Sequence, residues 1–140
     1  MKAMQKKRLQ TLINVMQRVV DTEGAFDLWG WQNASGDLHI NTQTTEKRLH
    51  KCGATACVAG WLAVSPEFKK AGGSVSAVGS PRLKEYGEFE AFALYLKCPY
   101  NQASLIASPA RSLAFYGRRA NEVTAKIVVA RLTQLLETGE

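Results

Sequence analysis

Leu9, Leu12, Ile13, Met16, Val19 and Val20 recur at helical spacing, with Lys, Arg, Gln and Asn between them. That period predicts one amphipathic helix over residues 3–22, stopped by Gly24. An aromatic run, Phe26-Asp-Leu-Trp-Gly-Trp31, and an apolar run at 38–40 flank a stretch of Gln, Asn, Ser and Gly. The pattern reads as a small aromatic hairpin or an irregular aromatic loop. Two strands are marginal alone, so the unit is expected to lie on the helices with Trp29 or Trp31 as its anchor. Residues 52–64 are apolar and rich in small side chains, which predicts a buried helix with Thr55 as N-cap. Ala56, Gly60 and Ala63 share one face of that helix, where another backbone can come close; the first and last helices are the candidates.

Ser65-Pro66-Glu67 is a second start signal, and Gly72-Gly73 stops the short turn that follows. Residues 72–82 hold no acid and little bulk, and read as a mobile loop. Phe89, Phe92, Ala93 and Leu96 define a helix ended by Pro99; a brief helix follows from an Asn101 cap and stops before Pro109. The pair has the outline of a helix-turn-helix, but its second helix carries no Arg or Lys, so packing of two core helices is the better reading. A final helix starts at an Asn121 cap, buries Val123, Ile127, Val128, Leu132, Leu135 and Leu136, and closes at Gly139. The fold class expected is mainly α: residues 1–140 as a single domain of four to five helices with a small aromatic β-hairpin.

The 140 residues are 46% apolar and 21% charged, which fits a globular chain with one core and excludes a disordered tail or fibrous repeat. No apolar run is long enough to span a bilayer, and the N-terminal residues lack the apolar stretch and cleavage site of a signal peptide. A cytoplasmic protein without a membrane partner is the expectation. The net charge of +6 is concentrated at the two ends of the chain. Lys2, Lys6, Lys7, Arg8 and Arg18 stand in the first twenty residues without an acid; Arg111, Arg118, Arg119, Lys126 and Arg131 face only Glu122. Brought together, the two groups would form a patch for phosphate-bearing or acidic partners; kept apart, they are solvated helix faces.

The odd number of cysteines, Cys52, Cys57 and Cys98, argues for free thiols in a reducing compartment. His50, Cys52 and Cys57, with Cys98 as a fourth ligand, could be drawn as a metal site. Their spacing is wrong for a zinc knuckle, and neither metal nor any other cofactor is expected. Cys52 as a nucleophile, with His50 or His39 as base, is the one catalytic constellation available; no triad order, nucleophile elbow, phosphate loop or HExxH sequence is present. The turn at residues 53–55, with Arg48 and Lys51 beside it, could offer backbone N–H groups to an anion.

The Cys52-Gly-Ala-Thr-Ala-Cys-Val-Ala-Gly-Trp61 segment follows an aromatic stretch and precedes Phe92-Ala-Leu-Tyr-Leu-Lys-Cys-Pro-Tyr-Asn-Gln-Ala-Ser-Leu-Ile106 and a helix ending Leu-Leu-Glu-Thr-Gly139. Over residues 26–139 this order resembles a group of small uncharacterised proteins of bacteriophages and bacterial genomes, with residues 52–61 as its specific part. Such proteins commonly carry Thr after the Cys-Gly pair, where this chain has Ala54. The resemblance implies a phage or mobile-element setting and supplies no activity, ligand or catalytic residue. The function expected is that of an accessory, anti-defence type of protein, acting by stoichiometric binding to a host or defence protein or nucleoprotein. Direct DNA or RNA binding by the basic N- and C-terminal helices ranks second, a small anionic or nucleotide ligand third and an enzyme last. The binding residues singled out are Lys6, Lys7, Arg8, Arg48, Lys51, Arg111, Arg118, Arg119, Trp29 and Trp31.

Overall fold

The computed structural model describes residues 1–33, 44–47 and 55–140. The amphipathic period at the start of the chain forms α1, Ala3–Asp21, whose inward stripe is Leu9, Leu12, Ile13, Val15, Met16 and Val19. Three two-residue strands follow: β1 (Ala25–Phe26), β2 (Gln32–Asn33) and β3 (Thr55–Ala56). The outer two flank β3, parallel on the β1 side and antiparallel on the β2 side. β1 and β2 each pair with β3 and not with each other; the expected aromatic hairpin sets residues 26–31 against residues 38–40. Its second arm, residues 38–40, lies outside the described residues.

Helix α2 (Val58–Ala63) is shorter than the predicted segment, and all six of its residues are buried. Thr55 is in a strand and does not cap it. The cap is Cys57, whose Sγ accepts from the Gly60 N–H at 3.4 Å. Helix α3 (Pro66–Lys70) begins as its start signal predicts, with the Ser65 hydroxyl accepting from the Phe68 N–H at 3.2 Å.

Residues 72–82, expected to be a mobile loop, are instead largely sheet. Strands β4 (Gly73–Val75), β5 (Pro81–Leu83) and β6 (Tyr86–Gly87) form an antiparallel meander in that order. Val75, Pro81 and Leu83 point inward, while Arg82 points out. Pro81 is tolerated because it is the first residue of its strand. The turn between β4 and β5 is held by Ser76, which donates its N–H to the Ser80 carbonyl at 2.9 Å.

Helices α4 (Glu88–Leu96) and α5 (Tyr100–Ala107) pack on each other, as core helices do, and α4 also packs on β5. A short 3-10 turn, Pro109–Arg111, leads into α6 (Ser112–Tyr116), an element with no counterpart in the sequence reading. The last helix, α7 (Ala125–Thr138), starts three residues later than the Asn121 cap predicts. Thr124 supplies the cap, accepting from the Ile127 N–H at 3.2 Å, while Ala120–Glu122 forms a separate 3-10 turn. Gly139 closes the helix in the left-handed conformation, φ 78°.

The result is mainly α, with seven α-helices among the described residues. One hydrophobic cluster joins them, with Trp61, Phe68 and Phe92 as its largest fully buried side chains. Each such ring contributes on the order of 1.5–3 kcal/mol by leaving water. Met1, Gln5 and Leu9 share a small cavity with Leu135, so the start of α1 lies beside the end of α7 and the two helices run antiparallel. No helix among the described residues is long and apolar enough to cross a membrane.

Candidate interaction surface

Of the segment that carries the sequence resemblance, the described residues, 55–61, are mostly interior. A Cβ at Gly60 would lie 1.7 Å from the Trp31 carbonyl oxygen, so a backbone does pass against α2. It belongs to residues 30–31, not to the first or last helix. Gly30 and Trp31 both offer their carbonyls to the Cys57 N–H, at 3.0 and 3.4 Å. The Trp61 indole N–H donates to the Ala25 carbonyl at 3.0 Å. The anchor of the aromatic segment is therefore Trp61 from below, with Trp31 half-buried against Phe89, ring centroids 5.1 Å apart.

The two described cysteines, Cys57 and Cys98, are poor nucleophiles in this setting. Burial pushes the Cys57 thiol up to about 11, outweighing the backbone N–H groups at the helix start that favour a thiolate. Burial likewise pushes Cys98 up to about 11. Among the described residues no group of three or more His, Cys, Asp or Glu is placed to hold a metal ion. His50 and Cys52 of the drawn metal site, and Arg48 and Lys51 of the drawn anion turn, lie outside the described residues.

The basic residues go to separate places. Lys6 is exposed on α1. Lys7 and Arg8 border a hollow shared with Lys70 and Tyr95, and the Arg8 guanidinium sits 4.3 Å from the centre of the Tyr95 ring. Arg18 is consumed by two carboxylates, at 3.2 Å from Glu46 and 2.5 Å from Glu67. Its pKa rises and that of Glu67 falls, chiefly through their mutual hydrogen bonds. Arg111 donates to the Asn101 side-chain oxygen at 2.6 Å. Arg118 and Arg119 precede α7, so the antiparallel packing sets them toward the far end of α1. From Arg8 to that end the helix rises roughly 18 Å. The two basic groups therefore do not merge into one patch.

A different surface draws Trp29 and Arg119 together. Asp27 accepts the Trp29 N–H at 3.0 Å, a turn that buries Leu28 and leaves Trp29 67% exposed. Across from it, α6 turns Phe115 and Tyr116 inward and Leu113 outward, the last 68% exposed. Tyr116 is fixed by donating to the Ile106 carbonyl at 2.6 Å, and burial raises its pKa. Ser112 donates to the Arg118 carbonyl at 2.6 Å, tying the 118–119 segment to the start of α6. Trp29, Pro109, Leu113, Arg119 and Asn121 thus border an open depression of about 530 Å³, and among the described residues no carboxylate lines it. Sequence reasoning found Trp29 and Arg119 but not Leu113 or Pro109. The available signal was the bracketing of residues 109–117 by Pro and Gly around a run of small and apolar residues.

Compared with family models, curated proteins and solved structures, the chain matches none.

Proposed function

We propose that this protein acts by stoichiometric binding to a macromolecular partner, and that Trp29, Leu113 and Arg119 form the docking face. The observation that carries this reading is the exposure of a Trp and a Leu on opposite sides of one depression with an Arg at its edge. Isolated exposed apolar residues are ordinary. A Trp grouped with an Arg has the composition of a protein-binding hot spot, and Leu113 adds apolar surface beside them on a helix whose Tyr116 is fixed by a buried hydrogen bond. The pKa values and burial of Cys57 and Cys98 lend no support to thiol catalysis.

The resemblance of residues 52–61 to small phage and bacterial proteins suggests the setting: a phage or mobile-element accessory protein in a bacterial host. Its partner would be a host or defence protein or nucleoprotein. Direct duplex binding through Lys6, Lys7, Arg8, Arg118 and Arg119 is the weaker reading, because the antiparallel packing of α1 and α7 divides those charges.

The test is affinity capture from bacterial lysate with the wild-type chain, Trp29→Ala and Lys126→Gln, followed by mass spectrometry and a binding titration with the captured protein. The expected outcome is a partner retained by Lys126→Gln and weakened about thirtyfold by Trp29→Ala, the cost of a hot-spot truncation. Equal capture by Trp29→Ala would overturn the docking face. Capture that vanishes after nuclease treatment would instead favour nucleic-acid binding.

A further inference from the structure

On the opposite end of α1 from the Arg118–Arg119 segment, Lys7 and Arg8 face Lys70 of α3 and Tyr95 of α4 across an open hollow of about 440 Å³. Among the described residues the only acidic side chain on its border is Glu67, and that carboxylate is turned to Arg18. Two of the Arg18 nitrogens donate to its two oxygens, at 2.5 and 2.7 Å, a bidentate pair; the same guanidinium also serves Glu46, so the trio keeps one net negative charge behind the hollow. Among the described residues no carboxylate pairs with Lys7, Arg8 or Lys70. The neighbouring Lys69 is turned away, donating to the Thr44 carbonyl. Three cationic side chains thus border one concavity, in excess of the single net negative charge that Arg18, Glu46 and Glu67 carry together.

Arg8 is also held in place. Its guanidinium is stacked 4.3 Å from the centre of the Tyr95 ring, and Tyr95 is itself buried, 2% exposed. The ring holds the cation electrostatically and the Tyr95 hydroxyl takes up part of the guanidinium's donor capacity; with five N–H groups, Arg8 keeps others for contacts with an anion. A preplaced Arg flanked by two flexible lysines is suited to a compact group with several negative oxygens: the Arg fixes orientation and the lysines adapt. The hollow also falls within the range of small-molecule sites, about 300–1,000 Å³.

We propose that this hollow binds a small phosphate compound carrying several negative charges, held by Lys7, Arg8 and Lys70. The charges are gathered around a concavity and do not continue as a track along α1 toward residues 118–119, which favours a compact ligand over a nucleic-acid backbone. The site is separate from the Trp29 depression, and either can fail without the other.

The experiment is isothermal titration with inorganic tripolyphosphate at low salt, using the full chain and the variants Lys7→Gln, Lys70→Gln, the double variant and Lys126→Gln. Both site lysines are exposed, so circular dichroism should show an unchanged fold. The expected result is one-to-one binding that weakens about threefold in each single variant and about tenfold in the double, with Lys126→Gln at wild-type affinity. No binding by the wild-type chain, or equal affinity in the double variant, would overturn the proposal. So would a short DNA duplex that binds more tightly than tripolyphosphate through the same two lysines, since that behaviour belongs to a nucleic-acid surface.

Discussion

Position 60 shows how much one missing side chain can decide. A helix interior normally favours Ala over Gly by about 1 kcal/mol. Here the Cβ of that Ala would stand 1.7 Å from the Trp31 carbonyl oxygen, and the obstacle is backbone, which cannot rotate away. Gly60→Ala should therefore lower stability by roughly 1–3 kcal/mol through overpacking, despite the better propensity. A urea melt of the two proteins decides the matter, and an unchanged or raised midpoint would mean that residues 30–31 do not sit on α2. The close approach was legible in the sequence, because a Gly inside an apolar helix asks for a reason. Its partner was not, since nothing local in residues 58–63 records which distant carbonyl arrives there. Cys57 was harder still: its role as N-cap displaces Thr55, a residue that propensity ranks far higher for the task.

Among the elements, those with several turns of period were legible, and a one-turn element was legible only where a start signal marks it, as Ser65-Pro66-Glu67 marks α3. Helices α1 and α4 each repeat their apolar positions often enough to announce themselves. Strands β4, β5 and β6 are two or three residues long, and the inward-outward alternation of Val75, Pro81, Arg82 and Leu83 is too brief to stand out beside the glycines around it. The start of α7 was misplaced because Asn121 and Thr124 are both good caps, and only the 3-10 turn at Ala120–Glu122 separates them. The end of α4 carries a testable strain. Lys97 holds the left-handed conformation there, φ 61°, where Gly is the usual occupant. Lys97→Gly should raise stability by about 0.5–1 kcal/mol, read as a higher denaturant midpoint at constant slope. A lower midpoint would show that the lysine side chain contributes more than its backbone costs.

At the scale of the molecule, the sequence displayed the charges but not their distribution. Arg18 looked like one more member of a basic end, yet it joins α1 to Glu46 and to Glu67 on α3. The Glu67 carboxyl is held below its ordinary 4.5 by that guanidinium. The stabilisation is therefore present above pH 4.5 and declines as the pH falls through the lower value of the folded state. With about a third of each side chain exposed, solvent screening limits it to about 1 kcal/mol. Arg18→Met should lose about that much at neutral pH, and its deficit against the wild type should shrink on acidification below 4.5. A deficit that stays constant in acid melts would assign the loss to packing of the Arg stem.

The antiparallel contact of α1 with α7 also sets an order of events during synthesis. The apolar stripe of α1 is made roughly a hundred residues before the helix that covers part of it, and contacts so distant in sequence form slowly. Until the ribosome has released α7, Leu9, Leu12 and Met16 have only part of their native cover. Through that interval the nascent chain keeps an adhesive face, and its protection arrives with a helix of fourteen residues.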